Sequence, residues 1–180
     1  AGYDDGTFRP EKKVNRAEAL KIITTQLITD AQIKKYKNSS YGDVPKDGWY
    51  MPYVEWANEQ GGIIQAPTVS STFKGGNIVT KAEFIKMFLA SRKVDTNFFG
   101  DVTIPLSRDA ANTKEWFYPT LRYALASSIT SSTKENLLQP NRELTRADVA
   151  VFLHRFFLYR AGQRSTELLA TAKREADNVI

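Results

Sequence analysis

Cysteine is absent from the 180 residues, which excludes disulfides, thiolate metal sites and cysteine nucleophiles together. There is one histidine, His154, set among Phe152, Arg155 and Phe156 with no spaced partner, so a histidine-based metal or catalytic site has nothing to build on. Long apolar runs are lacking too. The most apolar stretch, Val149 to Tyr159, is interrupted by His154 and Arg155 and falls far short of the roughly 20 residues that span a bilayer, so no membrane insertion is expected. No glycine-rich phosphate loop or nucleophile elbow occurs. Asp4-Asp5-Gly6 lacks the alternating oxygen ligands and closing Glu of a calcium loop and reads as a turn. Two carboxylates for glycoside hydrolysis need not be adjacent in sequence, and nothing nominates such a pair. The expectation is therefore no catalytic residue, no metal and no cofactor. Excess charge of one sign is modest: 25 Lys plus Arg against 20 Asp plus Glu leaves +5, spread along the chain rather than gathered into the basic patch of a nucleic-acid binder. The opening Ala1-Gly2-Tyr3-Asp4 has no basic-then-apolar leader and reads as a mature or excised fragment.

What is present is repetition. With 42% hydrophobic and 25% charged residues the chain is ordinary globular material. Three of its segments superimpose: VNRAEALKII from Val14, VTKAEFIKMF from Val79 and LTRADVAVFL from Leu144, with Arg16, Lys81 and Arg146 each 65 residues apart. Each segment opens on a capping residue (Asn15, Thr80, Thr145) followed three places later by a carboxylate (Glu18, Glu83, Asp148), the signature of a capping box. The third box is expected to be weaker, because Asp reaches back less easily than Glu. Apolar residues then recur at helical spacing, as in Ala19, Ile22, Ile23 and Leu27, or Val149, Phe152, Leu153, Phe156 and Phe157.

A second type of segment starts at Tyr41 and at Phe99, each with an aromatic-Gly-Asp-Val turn. Trp49 aligns with Trp116, Pro52 with Pro119 and Trp56 with Tyr123 at an offset of 67, whereas Asp43 and Asp101 are 58 apart, which places a nine-residue insertion between Val102 and Trp116. The prolines suit a first helical turn, predicting helices over 50–60 and 117–127, with Gly61-Gly62 ending the earlier one. Thr29 to Ser40, with three lysines, reads as a solvated polar linker. Residues from 163 onward read as an amphipathic helix with Leu168, Leu169, Ala172, Ala176 and Val179 on one side.

One electrostatic feature stands out. The first residue of each repeated helix is a cation, although positive charge at a helix N-terminus costs about 0.3–1 kcal/mol at exposed positions. An anion lying against the first-turn amides beside Arg16, Lys81 or Arg146 would offset it. Nearby carboxylates such as Asp4 or Asp5 could do the same. Glu18, Glu83 and Asp148 read as caps rather than ligand contacts. Trp49 and Trp116 suit either a sugar face or a core anchor.

GYDDGTFRP at Gly2 to Pro10, the aromatic-x-Asp-Val opening, the Trp-led helix and the RAE-type helix together resemble the S-layer homology (SLH) family, over nearly everything from Gly2 to about Arg160. The resemblance implies an all-α fold of tandem helix-loop-helix repeats around a pseudo-threefold axis. It further implies a noncatalytic anchor, extracellular at the cell wall or S-layer of a bacterium, that grips secondary cell-wall polysaccharide, often pyruvylated, in grooves between repeats. On this reading 1–40 holds the back half of repeat 1 plus a basic linker, 41–95 repeat 2, 96–160 repeat 3 with an insertion at 103–115, and 161–180 a C-terminal helix. Three RAE-type helices then stand against only two Trp-led ones. Binding is expected from Arg16, Arg146 and, less strongly, Lys81, which lacks the bidentate fork of Arg, while Trp49 and Trp116 contact the sugar. The alternative is an assembly module of a surface layer that has lost glycan binding and associates with itself or another surface protein. A hydrolase ranks behind both.

Overall fold

The computed structural model describes residues 2–68, 71–100 and 107–162. Among these the regular structure is helical, with no strand: α1 (Arg16–Thr24), α2 (Asp30–Lys35), α3 (Met51–Gln60), α4 (Lys81–Ser91), α5 (Tyr118–Ala126) and α6 (Arg146–Arg160). The three repeated helices are α1, α4 and α6. Each starts where its capping box is made in both directions, the cap side chain accepting from the third amide and the acid accepting from the cap amide. Asp148 loses nothing by being short: Thr145 N donates to it at 2.9 Å, against 2.9 Å for Thr80 to Glu83 and 3.1 Å for Asn15 to Glu18. α3 and α5 carry Pro52 and Pro119 in their first turns, and Gly61 ends α3 in the left-handed region at φ 70°.

The pseudo-threefold axis is visible in the backbone. Val79 N donates to Val14 O, Leu144 N to Val79 O and Val14 N to Leu144 O, closing a ring of three hydrogen bonds at 2.9–3.1 Å among three fully buried residues. Around it lie the isolated pairings Asn15 with Ile78, Thr80 with Glu143 and Lys13 with Thr145. The core packs outward from this ring. α3 packs on α1, α5 on α4, and α1 on α4. Phe84 and Phe88 of α4 meet Phe152 and Phe156 of α6, at 6.3 and 4.8 Å between ring centroids.

Two further expectations need revising. The stretch from Thr29 to Ser40 is not simply a linker: it holds α2, capped by Thr29 and Gln32, whose neighbour Tyr36 donates to Glu59 while Lys35 pairs with the same carboxylate. The sequence pairs Asp43 with Asp101, and the hydrogen bonds pair it with Asp109 instead. Asp43 accepts from the amides of Phe73 and Lys74, and the residue doing this in the third repeat is Asp109, which accepts from Leu138 and Gln139. Around it Ser107 and Ala110 are buried as Tyr41 and Val44 are. Asp101 itself, and the amphipathic segment from 163 onward, lie outside the described residues.

Candidate functional site

The site is built where one repeat's RAE-type helix meets the next repeat's loop. Each loop passes through a non-glycine residue in the left-handed region, at Arg9 (φ 51°), Lys74 (φ 57°) and Gln139 (φ 55°), and this reversal turns a row of carbonyls towards a helix start. The amides of Arg16 and Ala17 donate to Asn77 O and Gly75 O, those of Lys81 and Ala82 to Arg142 O and Pro140 O, and those of Arg146 and Ala147 to Lys12 O and Pro10 O. The third amide of each helix is taken by its cap. The first-turn amides are therefore occupied by the protein itself, and the anion expected against them has no donors to meet there.

The cations follow the same rotation. Arg16 Nε donates to Phe73 O at 3.0 Å, Lys81 Nζ to Leu138 O at 2.7 Å and Arg146 Nε to Phe8 O at 2.8 Å. A carbonyl from the neighbouring repeat thus faces each cation that opposes a helix dipole. Beyond that shared bond the three part company. Lys81 is only 5% exposed, in the packing between repeats 2 and 3. Burial, with help from Arg142 and Arg155, pulls its ammonium down to about 8, against the opposing pull of Asp109 and Asp148. Arg146 lies over the rings of Tyr3 and Phe8, 4.9 Å from each centroid.

Arg16 stands differently. Its Nη1 donates to Glu83 at 3.1 Å, and it lines a polar cavity of about 640 Å³ together with Tyr41, Gln65, Thr68, Phe73, Lys74 and others. The pairing with Glu83 follows from one residue type. In repeats 1 and 3 the cap acid is held within its own repeat, Glu18 by Lys12 at 3.0 Å and Asp148 by Arg142 through two bonds of 2.8 and 3.0 Å. The equivalent position in repeat 2 is Asn77, which brings no charge, and Glu83 takes Arg16 from across the interface. Asp148 shows the balance: burial works to raise its carboxyl, but the bonds from Arg142 and Thr145 hold it below the ordinary range.

Trp49 and Trp116 do not join Arg16 in the cavity. They are 52% and 49% exposed, on the outside of their helix starts, with Lys21 and Lys86 5.2 and 5.1 Å from their ring centroids. The aromatic residues that do line the cavity are Tyr41, read in the sequence only as the opening of a turn, and Phe73; neither these nor Lys74 and Gln65 stood out there as binding residues. A signal for Phe73 existed in its spacing from Phe8. Among the described residues no cluster of His, Asp or Glu could hold a metal ion, and no helix is long and apolar enough to cross a membrane.

The S-layer homology domain pattern matches residues 1–20, 40–85 and 108–150, its last segment beginning beside Asp109. The chain is 29% identical over 158 residues to a surface-layer 125 kDa protein of Lysinibacillus sphaericus, covering 86% of this chain and 12% of that protein. It is 35% identical over 88 residues to cell surface glycoprotein 1 of Acetivibrio thermocellus, 49% of this chain and 4% of that one. It is 28% identical over 152 residues to a Bacillus anthracis protein named as an uncharacterized cell wall amidase, 84% of this chain and 27% of that one. The chain thus spans about a quarter or less of the length of these relatives. With a ring of three capped helices and a sequence match over most of its loops and helix starts, the chain belongs to the S-layer homology domain family, whose place is extracellular, in the cell wall or S-layer.

Proposed function

We propose that this chain is a noncatalytic anchoring module that binds an anionic, acid-substituted secondary cell-wall polysaccharide in the cavity between repeats 1 and 2. The observation that carries the reading is the chemistry of that cavity. Arg16 and Lys74 supply positive charge, Thr68, Ser71, Thr72 and Gln65 supply hydroxyl and amide groups, and Tyr41 and Phe73 supply aromatic surface. A sugar ring needs polar contacts and an aromatic face; a pyruvyl or uronic carboxylate needs a cation. Arg16 can meet such a carboxylate by giving up Glu83 while keeping its bond to Phe73 O, because its fork has donors to spare. Lys81 and Arg146 serve chiefly to join repeats on this reading, and Trp49 and Trp116 form outer ledges that a longer glycan could reach.

The repeats then run 1–40, 41–95 and 96–160, the third with its insertion at 103–115, and 161–180 follows them. The test is binding of the intact chain to purified wall polysaccharide with and without its pyruvyl groups. Arg16→Ala should weaken binding to the pyruvylated polymer by about tenfold or more, the size of one charged hydrogen bond. Lys81→Met should leave it unchanged. Equal affinity of Arg16→Ala and the parent chain, with the fold intact by circular dichroism, would dismiss the site. The assembly reading is supported by the exposed Trp49 and Trp116, and predicts association without glycan in light scattering.

A further inference from the structure

One position sets repeat 2 apart from its neighbours, and it decides what Arg16 holds. Lys12, Asn77 and Arg142 stand 65 residues apart, each six places ahead of its cap acid, Glu18, Glu83 or Asp148. Their backbones are alike. Each amide donates at 3.1 Å to the carbonyl of the left-handed residue before it, Arg9, Lys74 or Gln139, and each carbonyl accepts from the first amide of a repeated helix. From this shared place Lys12 reaches Glu18 at 3.0 Å, and Arg142 reaches Asp148 at 2.8 and 3.0 Å. Asn77, exposed and uncharged at the cavity edge, offers Glu83 no such partner. Glu83 divides its oxygens accordingly. Oε2 accepts from the amide and hydroxyl of Thr80 at 2.9 and 3.0 Å, which completes the cap, while Oε1 accepts from Arg16 Nη1 at 3.1 Å. Arg16 itself is fixed from behind, by Phe73 O and by the Phe73 ring 5.3 Å from its guanidinium carbon.

We propose that Glu83 is a competitor built into the cavity, an internal carboxylate standing where the acid group of the glycan would pair with Arg16, and that Asn77 is the residue that leaves it there. This rests on the reading of the cavity as a site for an acid-substituted sugar. An incoming carboxylate has to take Nη1 from Glu83 and then lie near the displaced charge, which the bonds to Thr80 keep in the cavity wall. Like charges so placed oppose binding. The pair is also partly shielded, Arg16 and Glu83 keeping 20% and 33% of their side-chain surface open, so solvent does not cancel the competition. A cation at position 77 would draw Glu83 back into its own repeat, as Arg142 draws Asp148, and leave Arg16 to the ligand.

The test is binding of the intact chain to purified pyruvylated wall polysaccharide. Glu83→Gln keeps the capping box, which Gln completes as Glu does, and removes the competing charge. It should tighten binding about three- to fivefold, the size of one part-shielded ion pair. Asn77→Arg should tighten it by a similar factor. Because Asn77→Arg also adds a cation at the cavity, the double variant separates the two effects: if both changes act by removing Glu83 from Arg16, their gains do not multiply, and the double variant binds about as tightly as Glu83→Gln. Gains that multiply in full would overturn the role of Asn77, since added charge alone produces them. Affinity of Glu83→Gln at or below that of the parent, with Arg16→Ala still weakening binding, would overturn the competition and leave the cavity reading standing. Should Arg16→Ala bind as the parent does, the cavity reading fails and the competition falls with it. Urea unfolding without glycan gives a separate check: Arg16→Ala and Glu83→Gln should be coupled in the parent and additive once Asn77→Arg is present. Coupling that survives Asn77→Arg would overturn the proposal on its own.

Discussion

A cation at the first position of a helix is a small electrostatic cost repeated three times, and the arrangement that relieves it is local and internal. Each guanidinium or ammonium reaches a loop carbonyl of the adjacent repeat, and in repeats 2 and 3 an aspartate, Asp43 or Asp109, holds that loop by accepting from the amides at its left-handed turn. Asp109 shows the economy of this. Burial works to raise its carboxyl, but the amides of Leu138 and Gln139 and the Ser107 hydroxyl together keep it below the ordinary carboxylate range. A depressed carboxyl contributes stability that is complete above its unfolded value near 4 and is lost as pH falls through the folded one. Asp109→Ala leaves two loop amides without their acceptor and should cost about 2–4 kcal/mol in urea unfolding at pH 7. Asp109→Asn keeps one acceptor oxygen and turns an amide against the other donor, so it should fall between. If Asp109→Ala matched the parent chain, the loop would owe its shape to something other than this carboxylate.

At the scale of elements, the helices were legible where a long-range repeat and a local cap agreed. Thr80 with Glu83 before Phe84, Met87 and Phe88 specifies both the start and the buried face of α4. α2 was missed because it buries none of its residues and three lysines dominate its neighbourhood, even though Thr29 and Gln32 spell the same box. The decoy at Phe99-Gly100-Asp101-Val102 shows the opposite failure. It repeats three of the four letters of Tyr41 to Val44, while the residues that repeat their bonds and burial, Ser107 to Ala110, share only the aspartate with them. A sequence motif records side chains, and what selects Asp109 is the position of two amides thirty residues downstream. The cavity was half legible: Arg16 announced itself by its unusual place, but its companions come from the turn at Tyr41 and the loop before α4 and share no spacing with it. The caps themselves predict a uniform effect. Asn15→Ala, Thr80→Ala and Thr145→Ala should each cost about 1 kcal/mol by thermal or urea unfolding, since all three boxes are complete. A markedly smaller loss for Thr145→Ala would restore the weaker third box that its shorter acid suggests.

At the centre of the whole molecule is a ring in which each repeat gives one backbone hydrogen bond to one neighbour and takes one from the other, so a defect at one interface opens the closed circuit rather than a single contact. The interface between repeats 2 and 3 carries the one cation in this circuit that is fully buried, and its protonation state ties the stability of the ring to pH. Lys81 keeps its proton only up to about pH 8 in the folded chain, against about 10.4 when exposed in the unfolded one. Below pH 8 both states are charged and the folded state bears the full cost of burying the ammonium. Between about 8 and 10 the unfolded chain binds more protons than the folded one, so stability from this group rises with pH. The rise approaches a limit on the order of 3 kcal/mol. Lys81→Met removes the buried charge and the bond to Leu138 O together, leaving that carbonyl without its partner, so its stability at pH 7 reflects two opposed changes. The pH dependence separates them, because the lost bond is the same at every pH and the relieved charge is not. Measured by urea unfolding at pH 7, 8, 9 and 10, the parent chain should gain on Lys81→Met steadily above pH 8, the tyrosines that also titrate there being common to both. A difference between the two that stays constant from pH 7 to 10 would mean that Lys81 keeps its proton when folded, held by Asp109 and Asp148 more firmly than burial pulls it away.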